Sequence, residues 1–516
     1  MTRFLLNDED ISTDQPSGTT VLDFVRYRQN LKGTKIGCRE GDCGACTILV
    51  GELVGDEVKY RAMTSCLMPL ANAAGKHIVT IEGVNPADGS LTSVQQAIVD
   101  ESGTQCGFCT VGFVMSLTGF CLDGVRSPHG VSSPHISKGS PALSFDAAIS
   151  SIDGNICRCT GYKSIERAAC RLSEPPALAG GQFADTRIPV VPEYFADIAE
   201  RLRSILSATL TDAQETGRPL TQAVPTGGGT DLYVQRPDQM AESESTPLFY
   251  EDGLRGIRDL GDYIEIGASA TVTDLLESPL MHSIFPNLYK HLKLVSSTPI
   301  RNMATLAGNF VNASPIGDMT VWFLALDASV VFNDRREMPL RKLYIDYKKL
   351  AMTDHEYITA IKFRKPGGDF RFNFEKVCKR TYLDIATVNT AISLRIETTP
   401  GEAWLPPVLS EPPALAGGQK SGNATVMGRA AKVEHKIVEA HVSAGGVAPI
   451  PLYLKETSQF LRGKNVSDET IDAANEIMQS EIAPISDVRG TESYKRLLLR
   501  QLFRAHFYEI FKQNAV

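Results

Sequence analysis

The sequence lacks the features of membrane and nucleic-acid-binding proteins. No apolar run approaches the roughly 20 residues that a bilayer-spanning helix needs, and the start, MTRFLLNDEDIS, has only a short apolar patch before acidic residues. No long Lys/Arg run offsets the formal net charge of −8, which disfavours anionic partners. We therefore expect a cytoplasmic protein that binds neither nucleic acid nor membrane.

Cysteine is also scarce, at 11 of 516 residues, which is sparse for a disulfide scaffold. Eight of the eleven stand in two tight local groups, a distribution typical of metal ligands in a reducing compartment. The other three, Cys121, Cys170 and Cys378, lack partner spacing, and we interpret them as buried free thiols. The chain length and the 43% apolar content predict several folded domains.

The first group lies in GCREGDCGACTILVG and MTSCL. It has C-x4-C-x2-C spacing followed by a fourth cysteine: Cys38, Cys43, Cys46 and Cys66. This is the plant-type [2Fe-2S] spacing. Glycines between the ligands allow a short loop to wrap a cluster with its N–H groups turned toward sulfur. A structural zinc site is the alternative, although zinc sites usually pair two C-x2-C knuckles.

The second group lies in TQCGFCTVGF and GNICRCTGY. It joins a C-x2-C pair to a C-x-C pair: Cys106, Cys109, Cys157 and Cys159. Each pair runs into a helix-like apolar stretch, and thiolates at helix N-termini suit an anionic cluster. Zinc remains an alternative here as well.

The glycine run in AVPTGGGTDLYV is a candidate phosphate-binding loop. Gly227, Gly228 and Gly229 stand between a strand-like segment and the polar pair Thr230–Asp231, so N–H groups there could approach a diphosphate without Cβ interference. The spacing fits neither the Walker nor the Rossmann motif, and a simple turn is the alternative.

Together, the two cysteine groups make the N-terminal region resemble the iron-sulfur half of the molybdenum hydroxylases, and the xanthine dehydrogenase type in particular. The matching stretches are KIGCREGDCGACTILVG, MTSCL, TQCGFCTVGF and GNICRCTGY. Two features depart from the family: Val111 replaces a usual proline, and Arg126 to Ala142 is extra sequence. The resemblance implies that Gln105 lies against the molybdenum cofactor of a partner domain; an ordinary helix-start residue is the alternative.

The second half resembles the flavin domain of the same family. The resemblance implies that FAD contacts Gly227, Gly228, Gly229, Thr230, Asp231, Thr305, Asn309, Ser314, Asp318, Ile358 and Lys376. Ala307 replaces a family glycine, and Val295 stands where animal relatives have an aromatic residue beside the flavin. Without the resemblance, Asp318 and Lys376 would be interpreted as surface charges.

We predict an α+β multidomain fold with four domains and one linker. These are a β-grasp 2Fe-2S ferredoxin domain (1–84), a helical-bundle 2Fe-2S domain (85–171), a linker (172–190), an α+β FAD-binding domain of the PCMH/VAO-like type (191–365) and an α+β C-terminal flavoprotein domain (366–516). The segment LSEPPALAGGQ occurs at 172–182 and again at 409–419. Its Pro and Gly pairs predict solvent-exposed loops.

The resemblance implies an electron-transfer subunit of an NAD-dependent xanthine dehydrogenase. Electrons would pass from a molybdenum cofactor on a partner chain through two [2Fe-2S] clusters to FAD and then to NAD. Because the sequence holds no pterin-binding part, we expect a molybdenum-binding large subunit and a heterotetramer of two small and two large chains. The alternatives are the same module in an aldehyde or carbon monoxide dehydrogenase, a stand-alone electron carrier, and a zinc-stabilised scaffold.

Overall fold

The computed structural model describes residues 1–125, 144–173, 188–213, 223–353, 355–380, 383–400 and 433–511. The extra segment 126–142 lies outside these residues. So do both copies of LSEPPALAGGQ, apart from Leu172 and Ser173, and their loop assignment stays a prediction. Among the described residues, no helix is long and apolar enough to cross a bilayer.

The N-terminal sheet domain is a mixed five-stranded sheet with one short helix. Its elements are β1 (Thr2–Leu6), β2 (Glu9–Thr13), α1 (Val21–Asp23), β3 (Thr47–Val54), β4 (Glu57–Thr64) and β5 (His77–Val79). The strand order is β2-β1-β5-β3-β4, and β1 and β5 are parallel while the other neighbours are antiparallel. Val21 and Leu22 of α1 are fully buried in the core of this domain, as the β-grasp prediction requires.

A helical domain packs on this sheet. Its helices are α2 (Ser93–Asp100), α3 (Thr110–Val125), α4 (Phe145–Ser151) and α5 (Lys163–Ser173), and α6 (Ile198–Ala213) follows. Thr92 and Gln95 form a capping box that starts α2. Leu49 of β3 shares one apolar cluster with Phe113 and Leu117 of α3. The sheet and the helices are therefore held together by a continuous core.

The middle domain is built on an antiparallel sheet flanked by short helices. Its elements are β6 (Val224–Thr226), α7 (Leu232–Gln235), α8 (Pro237–Glu242), β7 (Ser245–Pro247), β8 (Ile257–Asp259), β9 (Tyr263–Gly267), α9 (Val272–Glu277), α10 (Pro279–Ile284), α11 (Leu288–Leu292), α12 (Thr298–Arg301), α13 (Leu306–Asn312), α14 (Asp318–Leu324), β10 (Ser329–Phe332), β11 (Glu337–Pro339), β12 (Tyr344–Asp346), β13 (Lys349–Leu350) and β14 (Ile358–Arg364). The main sheet has the order β11-β10-β14-β9-β8. The α14 residue Trp322 is fully buried, with its ring centroid 4.5 Å from that of Phe285.

The C-terminal domain is a four-stranded antiparallel sheet covered by helices. Its elements are β15 (Phe370–Val377), β16 (Val388–Pro400), β17 (Val433–Gly445), β18 (Leu452–Tyr453), α15 (Lys455–Leu461), α16 (Asp468–Glu481) and α17 (Glu492–Phe511). Helix α17 buries Leu499, Phe503, Phe507 and Phe511, a four-residue repeat that lines one helix face. The predicted α+β multidomain class is confirmed.

Charged side chains join the N-terminal sheet to the middle domain. Arg61 of β4 lies 3.2 Å from Asp274 and 3.0 Å from Glu277 of α9, and Glu52 of β3 lies 2.8 Å from Arg255. These groups line a cleft of about 530 Å³. Partly exposed pairs of this kind contribute about 0–1 kcal/mol each, so they fix orientation more than they stabilise the fold.

A buried histidine network joins the middle domain to the C-terminal domain. Asn373 of β15 pairs through Oδ1 with Nε2 of His291 at 3.2 Å and through Nδ2 with Nδ1 of His506 at 3.0 Å. The amide can satisfy both partners only if it donates to one ring and accepts from the other, which suits neutral imidazoles. Burial lowers the pKa of His291 to about 4 and that of His506 to about 3.

We expect acid to destabilise this interface. Below about pH 6.5 the unfolded chain gains protons at these histidines while the folded chain does not, so the free energy of unfolding falls as the pH falls. The His506→Gln substitution should reduce the loss of stability between about pH 7 and about pH 5 by about 2 kcal/mol, as measured by urea denaturation. His355, which is exposed, supplies the control His355→Gln. An unchanged pH dependence in His506→Gln would contradict the expectation.

Candidate functional site

The first cysteine group is assembled by the β3–β4 pair and the loop before it. Thr47 of β3 pairs with Thr64 of β4, so Cys46, just before β3, meets Cys66, just after β4. Their thiols share a hydrogen bond. The register of two antiparallel strands thus brings together two cysteines that are separated by nineteen residues in the sequence.

The loop supplies the second pair, Cys38 and Cys43. The backbone N–H groups of Glu40 and Asp42 both lie 3.3 Å from the Cys38 sulfur. The Cys43 thiol and these N–H groups lower the pKa of Cys38 to about 5. N–H groups turned toward sulfur favour the thiolate form that a metal cluster requires.

The second group also forms two pairs. The sulfurs of Cys106 and Cys159 are 3.5 Å apart, and the Cys109 side chain is hydrogen-bonded to Cys157. The N–H groups of Cys159 and Thr160 both lie 3.4 Å from the Cys157 sulfur. Cys106 and Cys159 are exposed, whereas Cys157 is buried.

The pairwise arrangement of the cysteines suits a binuclear cluster. Such a cluster, when held by four thiolates, takes two at each iron, and both groups of cysteines fit that division.

The loops that carry the two groups contact each other directly. The Ile156 N–H donates to the Cys43 carbonyl at 3.0 Å, and the Asn155 side-chain amide donates to the Gly44 carbonyl at 3.2 Å. A Cβ on Gly112 of α3 would lie 2.1 Å from the same Gly44 oxygen. A cysteine of the first group and the residue before a cysteine of the second are therefore joined by one backbone hydrogen bond.

The glycine loop 227–229 packs against both the middle domain and the N-terminal sheet domain. A Cβ on Gly228 would lie 1.8 Å from the Met303 oxygen, and one on Gly229, where φ is 83°, would lie 2.4 Å from the Leu67 oxygen. Asn72 donates to the Gly227 carbonyl at 2.9 Å. Only glycine, which has no Cβ, allows the carbonyl groups of Met303 and Leu67 to approach the loop backbone this closely.

The two segments that were predicted to contact FAD, one around Asp231 and the other beginning at Thr305, lie next to each other. Thr305 caps α13 by accepting from the Gly308 N–H at 3.1 Å, and Asn309 accepts from the Thr320 backbone at 3.0 Å. Asn312 at the end of α13 donates to Asp231 at 2.7 Å. Burial raises the pKa of Asp231.

Lys376 and Asp318 form an ion pair at the border with the C-terminal domain. The Lys376 Nζ is 2.7 Å from Asp318 Oδ2, and the side chains are only 1% and 12% exposed. The interpretation of these residues as surface charges is therefore wrong. Lys376 also donates to the Leu294 carbonyl at 2.7 Å, and Asn389 donates to Asp318 at 2.6 Å. Sequence reasoning missed Asn389, because β16 contains other polar residues, such as Thr390 and Ser393, and no local pattern singles Asn389 out.

Three other residues that were predicted to contact a cofactor, Ser314, Ile358 and Gln105, lie in different surroundings. Ser314 accepts from the Ile316 N–H in a tight turn, and Ile358 is buried in the apolar core at the start of β14. Gln105 is exposed beside Cys106. The contact of each of these residues with a cofactor stays a prediction.

Four family models match the chain in succession. They are a 2Fe-2S iron-sulfur cluster binding domain over 4–71, a [2Fe-2S] binding domain over 80–170, an FAD binding domain in molybdopterin dehydrogenase over 200–365 and a CO dehydrogenase flavoprotein C-terminal domain over 421–510. The predicted cofactors, two [2Fe-2S] clusters and FAD, are confirmed. The zinc alternative finds no support.

Whole proteins also resemble the chain. The xanthine dehydrogenase of Blastobotrys adeninivorans is 26% identical, with 96% of this chain and 39% of the relative covered. The nicotinate hydroxylase of Emericella nidulans is 26% identical, with 97% and 40% covered. The reconstituted CO dehydrogenase from Oligotropha carboxidovorans is 24% identical at a TM-score of 0.46, with 57% of this chain and 90% of that chain covered. The chain thus spans about two fifths of the length of the curated relatives it matches.

We expect Cys43→Ser to halve the iron and acid-labile sulfide bound per chain, because it removes one ligand of one cluster only. Metal analysis of the purified variant measures this. Cys121→Ala is the matched control, since Cys121 is a buried thiol on α3 whose pKa is raised to about 12 by burial alone. Full iron content in Cys43→Ser would contradict the ligand assignment.

We expect Gly228→Ala to lose FAD while keeping both clusters. The added methyl group would overlap the Met303 carbonyl, and overpacking of this kind costs about 1–3 kcal/mol. Flavin absorbance after ultrafiltration measures the loss. Gly253→Ala, where a Cβ meets no atom within 4 Å, should keep FAD. Equal FAD retention by the two variants would exclude the glycine loop as part of the site.

Proposed function

Because this chain consists of the iron-sulfur and flavin domains of the molybdenum hydroxylases, we propose that it accepts electrons from a molybdenum cofactor on a partner chain and delivers them to NAD. In this proposal one cluster is held by Cys106, Cys109, Cys157 and Cys159, and the other by Cys38, Cys43, Cys46 and Cys66. When bound, the clusters carry single electrons, and FAD collects two of them for transfer as a hydride.

The observation that carries the proposal is the direct contact between the two cysteine loops. The hydrogen bond from Ile156 to Cys43, at 3.0 Å, lies next to the ligand Cys157. A short connection of this kind keeps two redox centres in adjacent positions, and Gly44 and Asn155 beside it are buried. A zinc scaffold would have no need of such a connection.

The exposure of the two groups supports a direction of electron flow. Cys106 and Cys159 are exposed, as are Gln105 and Phe108, the latter at 45%. Exposed aromatic surface beside a redox site suits a partner interface. Cys46 and Cys66 are buried, and the residue after Cys66 touches the glycine loop. We propose the order partner, second group, first group, FAD.

The substrate is proposed to be a purine such as xanthine, oxidised at the partner subunit. Joining of the iron-sulfur and flavin parts in one chain favours the xanthine dehydrogenase type over the carbon monoxide dehydrogenase type. Relatives of equal identity carry the names xanthine dehydrogenase and nicotinate hydroxylase, so a nitrogen heterocycle is the shared substrate class. We further propose a heterotetramer of two small and two large chains.

A cytoplasmic location is proposed from the chemistry of the thiols. All eleven cysteines are free, which suits a reducing compartment. A reducing compartment also keeps the cysteine thiols free of disulfide bonds, so that they can bind the clusters as thiolates.

Anaerobic titration of the purified full-length chain with NADH tests the function. We expect bleaching of the flavin band followed by the electron paramagnetic resonance signals of two reduced clusters, because electrons can enter at FAD and move backward along the same route. The Cys106→Ser variant should still show flavin bleaching and one cluster signal, and Cys121→Ala should behave as wild type.

Flavin reduction by dithionite but not by NADH would exclude NAD as the acceptor and favour the stand-alone carrier. Absence of iron or flavin from the chain would overturn the proposal altogether. Co-purification with a molybdenum-containing chain would support the assignment of a partner subunit.

A further inference from the structure

A buried ion pair connects the middle domain to the segment that precedes Cys157. The Nη2 atom of Arg301, the last residue of α12, lies 2.6 Å from Asp153 Oδ2, and the side chains are 3% and 5% exposed. The backbone N–H of Thr298 donates to the other carboxylate oxygen at 2.7 Å. Both oxygens of Asp153 are thus held by α12.

Arg301 is itself held by further contacts in the middle domain. Its Nη1 donates to the carbonyls of Val295, at 3.0 Å, and Ser296, at 2.7 Å. Its Nη2 also donates to the Thr298 hydroxyl at 2.6 Å. Because the guanidinium is a rigid planar fork, these bonds fix the direction in which it presents a donor to Asp153.

The residues after Asp153 form the contact between the two cysteine loops. A Cβ on Gly154 would lie 2.8 Å from the Pro299 side chain. Asn155 then donates to Gly44, and Ile156 to Cys43. A shift of Asp153 away from α12 would therefore displace the backbone that touches the first group and carries a ligand of the second.

We propose that Arg301 is a positioning residue for electron transfer between the two clusters, acting through Asp153 on the segment 153–157. This inference rests on the proposed function, because transfer between clusters exists only if both are bound. Arg301 touches no ligand cysteine, so its effect is confined to holding the helical domain in register with the first cysteine loop. Because electron transfer slows as the distance between two centres grows, a displacement of the segment 153–157 would slow transfer between the clusters.

The test uses the full-length, cofactor-loaded chain and follows electrons that enter at FAD. The flavin is reduced by a light flash in the presence of a sacrificial tertiary-amine electron donor, which is oxidised in the same step. Samples are frozen at intervals, and the reduction of each cluster is followed by electron paramagnetic resonance, with signals assigned by comparison with Cys43→Ser. The variants are Arg301→Met, Arg301→Lys and the double variant Asp153→Asn/Arg301→Met, which leaves no buried charge unpaired.

The matched control is Arg171→Met. Arg171 also forms a poorly exposed ion pair, with Glu101 at 2.9 Å and a side chain 15% exposed, but within the helical domain alone. A general loss of packing would act on both arginine variants, whereas a positioning role would act only on Arg301.

We expect the first cluster to be reduced at the wild-type rate in every variant except Cys43→Ser. Reduction of the second cluster should slow severalfold in Arg301→Met and in the double variant, recover in part in Arg301→Lys, and stay unchanged in Arg171→Met. If the double variant binds both clusters and FAD and its second cluster is reduced at the wild-type rate, the role of Arg301 is wrong and the proposed function still stands. If the wild-type chain binds no clusters, both the role of Arg301 and the proposed function are wrong.

Discussion

The architecture depends on the close approach of three backbones around the cysteine groups. Gly44 of the first loop, Gly112 of α3 and Gly154 before the second C-x-C pair meet there, and a Cβ on any of them would fall within 3 Å of a neighbouring atom. A side chain at Gly44 or Gly112 would separate the two cysteine loops, and one at Gly154 would meet Pro299 of α12. The spacing of the two cysteine groups is therefore a steric property of glycine. The ion pair between Arg301 and Asp153 extends the same contact into the middle domain.

Apolar clusters join the N-terminal sheet domain to both of its neighbours. One cluster joins β3 to α3, and another joins Ile48 of β3 to Tyr233 and Met303 of the middle domain. The middle domain also meets the sheet through charged pairs around a cleft, such as Glu52 with Arg255, and through the glycine loop. Apolar burial is non-directional, whereas ion pairs and close backbone contacts specify orientation. The arrangement combines apolar burial between the domains with a defined orientation of the middle domain.

The parts of the site that could be predicted from the sequence are those encoded by local spacing. Cysteine spacing and the glycine run are short-range patterns, and the structure brings each set together. The pairing of Lys376 with Asp318 could not be predicted, because the two residues come from separate elements and are brought together by the packing of two domains. The same holds for Arg301 and Asp153, which are 148 residues apart. The predicted domain boundaries, by contrast, stay predictions.

The long hairpin of the C-terminal domain has a consequence for sequence change. Strands β16 and β17 remain paired from Asn389 and Gly445 up to Pro400 and Val433, and one copy of LSEPPALAGGQ falls between those ends. The register of the two strands is therefore set by their own paired residues. An insertion or deletion of one residue within either strand would turn the side chains beyond it, such as the buried Ile392, to the opposite face of the sheet.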